Sequence, residues 1–367
     1  MNLTLNADRR AIVERAKSLA DEVVRPASLE HHRQGTFPLK ILRKLAQNGL
    51  MGVNISSDLG GSSAGVVAYS LAVTAIAEAD PAVAVTMAVN NMVGEVLEAF
   101  ASPSLQQALI PPLTGGDASS GAFCLSEPGS GSDAAGMRTR ATRQGSEWVI
   151  SGTKAWITSG AHAHVYLVWA KTDDTISLFA VDPQSPGIEV GAPEEKLGQH
   201  ASNTVALSFD GVEVSNDALI GELGDGFPIA MMALDGGRIG IASQSLGIAN
   251  AAWELAQRHL DAPERQQLSG LWADVASARA ITLRAAWLKE QGQQGFTRQA
   301  SMAKMLASEA AQSLIEAVHA RLPLPSGHPD MARAAKLLED VRVTRIYEGT
   351  NEIQRLVIAR DLIRRGL

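Results

Sequence analysis

The chain has 367 residues, of which 46% are hydrophobic and 19% charged, and its 32 Lys and Arg against 39 Asp and Glu give a net charge of −7. That length and composition suit a globular protein of one large fold or two to three domains with a sizeable core. The acidic balance argues against a nucleic-acid partner, which calls for clustered Lys and Arg, and the single cysteine, Cys124, excludes an internal disulfide framework and a cysteine-based zinc cage.

Residues 1–117 read as helices. Ile12, Ala16, Leu19, Ala20 and Val23 recur at helical spacing, and Pro26 is expected to stop that run. Asp8, Arg9, Arg10 and Glu14 are wrong for a secretory signal, and no stretch reaches the roughly 18 uninterrupted apolar residues of a membrane helix. With the lone cysteine, these features predict a cytoplasmic protein with no membrane partner. Pro38 can open a second helix, with Ile41, Leu42 and Leu45 on one face and Gly49 just past its end. Two alanine- and valine-rich runs, about 66–79 and 81–101, are apolar on most sides and so are expected to be buried between other helices.

The texture changes near Gly115. Across 118–222, short segments such as Trp148-Val149-Ile150, Val165 to Trp169, Leu178 to Val181 and Val205 to Phe209 are rich in β-branched and aromatic residues, and Gly and Pro break them. This spacing predicts a compact antiparallel β domain. From 223 to 367 helices return, with long runs at Ile239–Leu260, Leu268–Leu288 and Gln299–Val318 and a further helix at Ala332–Arg345, as in an up-and-down bundle.

Three segments carry chemistry. Leu125-Ser126-Glu127-Pro128-Gly129-Ser130-Gly131-Ser132-Asp133 packs two glycines and three hydroxyls into nine residues. Such a loop can turn backbone N–H groups toward an anion, or simply form a tight turn. Gly129-x-Gly131-x-x-Ala134 fits a dinucleotide fingerprint only on paper, because no βαβ unit surrounds it. Trp156-Ile157-Thr158 sets an aromatic face beside a hydroxyl, which suits a flat heteroaromatic ligand or, alternatively, a core tryptophan. Glu348, in Tyr347-Glu348-Gly349-Thr350-Asn351-Glu352, is a carboxylate on a turn against an apolar wall, where lost hydration raises its pKa into the range of a general base. The same residues also read as a helix N-cap cluster, with Thr350 or Asn351 capping and Glu352 in the first turn. Asp235-Gly236-Gly237-Arg238 reads as a helix start. Glu316-x-x-His319 lacks the second copy that a di-iron site needs, and His162-x-His164 reads as a surface turn, so no metal site is expected.

Four segments in register resemble the acyl-CoA dehydrogenase family: Phe123 to Asp133, Lys154 to Gly160, Ala233 to Gly247 and Arg345 to Arg360. The resemblance implies an α+β fold of three parts: an N-terminal α-helical domain (1–117), a middle antiparallel β domain (118–222) and a C-terminal four-helix bundle (223–367). It implies FAD as cofactor and the α,β-dehydrogenation of an acyl-CoA thioester, short or branched, to the trans-2-enoyl-CoA. Carried over by position, Glu348 is the base. Phe123, Leu125, Ser126, Gly131, Ser132, Trp156, Ile157, Thr158, Thr350 and Glu352 meet the flavin cofactor. Ser132, Asp235, Arg238 and Gly349 touch the substrate. The family also implies an electron-transfer flavoprotein as acceptor and a homodimer or homotetramer. Two departures stand out. Leu260 to Gly270 lacks the family's Arg and Gln-Phe-Gly loop, and Leu322 to His328 replaces its Gly-Gly-x-Gly turn, so no adenine-end contacts are carried over. Two alternatives keep the fold: a flavin-dependent monooxygenase, against which a glutamate at 348 argues, and a non-catalytic assembly subunit with weakened FAD binding.

Overall fold

Apolar residues at helical spacing fold the first third of the chain into helices, in a computed structural model that describes residues 3–365. The first helix, α1 (Ala7–Leu19), is capped by Asn6, whose side chain accepts from the Arg9 N–H, and buries Ile12, Val13, Ala16 and Leu19. Pro26 does not end this run, contrary to expectation. A π-helical stretch, Ala20–Val24, leads straight into α2 (Arg25–Gln34), which holds Pro26 in its first turn. The π stretch widens the turn just before Pro26, so the chain stays helical through a proline that has no N–H to give the preceding turn.

Helix α3 (Leu39–Gln47) turns Ile41, Leu42 and Leu45 inward, as their spacing predicts. Helices α4 (Gly65–Ala79) and α5 (Pro81–Phe100) are buried on most sides. Between them Asp80 caps α5, its carboxylate accepting from the Ala82 and Val83 N–H groups. A sixth helix, α6 (Pro103–Gly115), leads to the sheet.

The β region comprises β1 (Gly121–Cys124), β2 (Arg140–Gln144), β3 (Glu147–Thr158), β4 (Val165–Thr172), β5 (Thr175–Val181), β6 (Ile188–Pro193), β7 (Thr204–Ser215) and β8 (Leu219–Ile220). Their order is β6-β7-β3-β2-β4-β5-β8, with β1 added on β4. Pairing is antiparallel except where β1, and one residue of β2, run parallel to β4. The register of β3 against β7 shifts between Lys154 and Ile157, a bulge that re-aims the residues inside it.

The helices after the sheet are α7 (Gly226–His259), α8 (Ala262–Gln267), α9 (Ser269–Glu290), α10 (Phe296–His319), α11 (Pro329–Val341) and α12 (Asn351–Arg365). The segment lacking the family loop folds as α8, closed by a capping box between Asp261 and Glu264. The helix expected at 332–345 ends as α-helix at Val341 and tightens into a 3-10 turn over Arg342–Arg345. A second expectation is corrected at Asp235-Gly236-Gly237-Arg238, which lies well inside α7 rather than at its start. Two glycines cost a helix about 1 kcal/mol each, and the burial of α7 against α4, α5 and α10 offsets that cost.

One core cluster joins the first helices to α7, α9, α10 and α11. A second lies between α5, the β1 and β4 end of the sheet and α7. A buried polar cluster stitches the first to the chain's last third. The Lys336 ammonium bonds Asp340 at 2.6 Å and Asp80 at 3.3 Å, and the Ser28 hydroxyl donates to Asp80 at 2.6 Å. Burial alone would discharge Lys336, but Asp340 and then Asp80 hold its pKa above the ordinary value. Lys336→Met should leave Asp340 without its cation and Asp80 with only hydroxyl and N–H donors, and destabilise the fold by about 3–5 kcal/mol. Chemical denaturation of the variant beside the parent checks this, and a loss under 1 kcal/mol would count against it.

Candidate active site

Glu348 stands on the turn between the 3-10 segment and α12 with a left-handed backbone, φ 55°, followed by Gly349 at φ 88°. A non-glycine residue there is strained and persists only where its surroundings hold it. Two side chains do so through the turn's carbonyls. Gln354 Nε2 donates to Glu348 O at 3.1 Å and to Gly349 O at 2.8 Å, and Lys304 Nζ donates to Gly349 O at 2.9 Å. Lys304 also donates to Asn351 Oδ1 at 2.9 Å. The N-cap reading holds as well, since the Thr350 hydroxyl accepts from the Ile353 N–H at 3.3 Å.

The Glu348 carboxyl points the other way, onto α7. Its Oε2 is buried and has no hydrogen-bond partner among the described residues. Burial pushes its pKa up to about 7, against the opposing pull of Arg238 and Lys304. Lys304 is brought down to about 7 by its own burial, which the nearby Glu348 resists. The carboxyl fits only because residue 237 is glycine. A Cβ there would stand 2.7 Å from the Glu348 carboxyl carbon and closer still to Oε2. One residue on, Arg238 is 5% exposed and donates to Asp235 and to the Ser301 hydroxyl, while its Nε has no partner among the described residues. Asp235 accepts from Thr297 as well, and burial raises its pKa.

The sheet supplies the facing wall. The Glu127 carboxylate fastens the Ser- and Gly-rich loop by accepting from the N–H groups of Arg138 at 2.6 Å and Thr139 at 2.9 Å and from Lys154 Nζ at 2.9 Å. Burial alone would raise its pKa, but the bonds to Thr139 and Arg138 and the Lys154 charge bring it below the ordinary value. Lys154 Nζ also donates to Leu125 O at 3.1 Å, and the Ala155 N–H to Ser126 O at 2.9 Å, which brings the loop alongside the β3 bulge. There Trp156, at φ 58°, is turned out of the sheet and is 54% exposed, which overturns the core-tryptophan alternative. A Cβ on Gly131 would lie 3.7 Å from its ring, so the bare backbone of that loop borders the indole. Ile157 is buried beneath, Thr158 is partly exposed and Ser132 is exposed. Phe123 tilts against Trp169 with ring centroids 4.2 Å apart. Phe123, Leu125 and Tyr347 belong to the same apolar cluster, so the sheet wall and the Glu348 turn meet.

Glu352, expected at the cofactor, plays another part, and His162 and Glu316, from the two motifs set aside as metal sites, make contacts of their own. Glu352 is exposed, and bonds from its own N–H and from Thr350 hold its carboxyl below the ordinary value at the helix start. His162 stacks on Phe37 with ring centroids 4.1 Å apart. Glu316 accepts from Gln312 at 2.7 Å. Sequence reasoning missed Lys304, Gln199 and Gln244. Gln199 Nε2 donates to the Tyr347 hydroxyl at 3.0 Å, and that hydroxyl donates to Gln244. No motif marks these residues; the one signal was a lysine amid the alanines of a core helix, which needs a buried partner.

Comparison with known proteins gives a consistent result. Family models described as acyl-CoA dehydrogenase N-terminal, middle and C-terminal domains match residues 6–117, 122–212 and 224–363. The chain is 40% identical over 369 residues to the mitochondrial short-chain specific acyl-CoA dehydrogenase of Bos taurus, covering 95% of this chain and 88% of that protein. Butyryl-CoA dehydrogenase from Megasphaera elsdenii superposes with a TM-score of 0.93 at 32% identity, over 99% of this chain and 100% of that one. A chain from the structure of the electron transferring flavoprotein of Acidaminococcus fermentans gives 0.94 at 30% identity, over 99% and 100%.

Because the folded-state pKa of Glu348 lies above its ordinary value, the folded protein prefers the protonated carboxyl. Ionised Glu348 therefore costs stability, by an amount that grows as pH rises from 4.5 to about 7 and then levels off. Glu348→Gln should unfold with the parent at pH 4 and at a higher temperature than the parent at pH 8. A midpoint difference that does not change with pH in thermal scans would contradict this.

Proposed function

The chain belongs to the acyl-CoA dehydrogenase family, and we propose that it oxidises a short acyl-CoA thioester to the trans-2-enoyl-CoA with Glu348 as base. The observation that carries this is the Glu348 carboxyl, its Oε2 buried without a partner among the described residues and set on the bare backbone of Gly237. The α-hydrogen of a thioester is a weak acid, and a base whose pKa is raised toward neutrality takes it more readily than an exposed carboxylate does.

The residues also fit FAD. Exposed Trp156 presents a flat aromatic face, Gly131 leaves room beside it, and Thr158 and Ser126 bring polar atoms to the same wall. Phe123, Leu125, Ser126, Gly131, Ser132, Trp156, Ile157, Thr158 and Thr350 would hold the cofactor, which when bound supplies a two-electron acceptor for the β-hydride. Glu348 takes the α-proton onto its carboxylate, so proton and hydride leave adjacent carbons and a C=C bond forms between them. The Glu348 N–H makes no hydrogen bond within the protein among the described residues and can steady the carbonyl oxygen as enolate charge grows. Arg238 and Lys304 set the base's acidity from behind. By the family resemblance, Ser132, Asp235, Arg238 and Gly349 would contact the thioester.

The base argues against oxygenation by a monooxygenase, which needs no α-proton acceptor, and the intact site argues against a non-catalytic assembly subunit. A short acyl group is supported by the short-chain and butyryl-CoA relatives. The flavoprotein chain among the similar structures supports an electron-transferring flavoprotein as acceptor. A homodimer or homotetramer follows from the family resemblance, and a reducing, cytoplasmic setting suits the single buried cysteine.

Anaerobic addition of butyryl-CoA should bleach the yellow holoenzyme. Glu348→Gln should slow bleaching by about 10²- to 10⁴-fold while retaining FAD, and Gly237→Ala should slow it by displacing the carboxyl. Undiminished bleaching in Glu348→Gln would remove the base from its role.

A further inference from the structure

Three glycines of α7 meet polar side-chain tips on one side of the helix. Gly237 faces the Glu348 carboxyl. A Cβ on Gly240 would lie 2.7 Å from the Tyr69 hydroxyl, and one on Gly236 would lie 2.5 Å from Lys289 Nζ and 3.6 Å from Glu95 Oε2. Positions 236 and 240, and 237 and 240, are neighbours on one helix face, with Cβ directions about 5–6 Å apart. Tyr69, Glu95 and Lys289 therefore stand about one helical turn from the base, within reach of the far end of a short acyl chain whose α-carbon meets Glu348.

The hydrogen-bond inventory of this cluster is unbalanced. Both Glu95 oxygens are in use, one accepting from Asn54 Nδ2 and the other from Lys289. Lys289 has N–H groups beyond the one it gives to Glu95. Tyr69 is 4% exposed, and its hydroxyl has no hydrogen-bond partner among the described residues. Burial, then the charges of Glu95 and Glu348, raise its pKa, so it stays protonated and is free to donate. Asn54 Oδ1, beside Glu95, is a buried acceptor without a partner among the described residues. Lys289 and Glu95 are 21% and 24% exposed, so a methyl end would displace water from these groups without replacing its hydrogen bonds, which is costly. A carboxylate end would meet two anions, Glu95 and Glu348, against a lysine already neutralised by Glu95. A hydroxyl can both accept from Tyr69 or Lys289 and donate to a free acceptor.

We propose that Tyr69, Glu95 and Lys289 form a polar floor to the acyl pocket that selects a short, uncharged acyl group carrying a hydroxyl near its far end. This inference rests on the acyl-CoA dehydrogenase reading of the site. The floor bars long apolar chains, since a longer tail has to displace an ion pair rather than extend along an apolar wall.

Anaerobic flavin reduction by the holoenzyme tests it, with butyryl-CoA against 4-hydroxybutyryl-CoA, pentanoyl-CoA against 5-hydroxypentanoyl-CoA, and glutaryl-CoA and octanoyl-CoA as the charged and long arms. At one or both lengths the hydroxylated thioester should show a kcat/KM about 5- to 10-fold above its plain partner, the worth of one added hydrogen bond. Glutaryl-CoA and octanoyl-CoA should fall at least about tenfold below butyryl-CoA. Tyr69→Phe should cancel the hydroxyl preference, read as a ratio within the variant, so that lost folding or flavin moves both substrates together. Glu95→Gln should improve glutaryl-CoA relative to butyryl-CoA. Plain chains preferred or equal at both lengths, or octanoyl-CoA matching butyryl-CoA, would overturn the polar floor and leave the dehydrogenase reading standing. No reduction by any acyl-CoA would overturn both.

Discussion

A carboxyl group held against a helix backbone with one oxygen buried is the constraint on which the rest of the site depends. Glu348 is ordinary chemistry in an unusual place. Its side chain lies where α7 has no side chain, its backbone is held in a left-handed turn, and its Oε2 finds no donor among the described residues. Each condition is unfavourable by itself. Together they keep a proton acceptor poised near neutrality, and the surrounding packing bears the cost.

That packing is drawn from every part of the chain. The Lys304 ammonium on α10 grips the turn through Gly349 O, and Gln354 grips it from α12. Tyr347 reaches Gln199 in the loop between β6 and β7 and Gln244 on α7, and Gln199 Nε2 donates to Asp340 O at 3.0 Å. Asp340 shares Lys336 with Asp80, at the start of α5. A continuous polar path thus runs from the residue before the base to the cap of an N-terminal helix. Buried networks of this kind are stable only when each member is satisfied, so they specify one arrangement of the elements they join. The same rigidity fixes the wall carrying Trp156, through the Lys154 and Glu127 pair.

Much of this was legible beforehand, for identifiable reasons. The helices at 65–79 and 81–100 showed themselves by largely apolar composition, and the strands by β-branched clusters between glycines. Glu348 was legible because a carboxylate beside Gly349 and Thr350 lies in a recognisable pattern. Pro26 misled because a preceding π stretch widens the turn and lets the chain stay helical through a proline. Asp235-Gly236-Gly237-Arg238 misled because glycine pairs ordinarily mark helix ends. Here they remain helical because tertiary neighbours occupy the room that side chains would take. Trp156 was open between core and surface, because alternation along a strand assigns faces only until a bulge shifts the register.

The amino-acid sequence alone determined the order of helices, strands and helices, the family to which the chain is similar, and which carboxylate is proposed as the base. Those properties follow from local periodicity and from residue types set at short spacings along the chain. Only the tertiary structure decided that Glu348 Oε2 is buried, that Gly237 makes room for it, that Lys304 and Tyr347 hold its turn, and that Tyr69, Glu95 and Lys289 gather around the same helix. Those properties depend on groups tens to hundreds of residues apart being brought together in a water-poor interior. Solvation and charge there are set by neighbours in space, which no local pattern encodes.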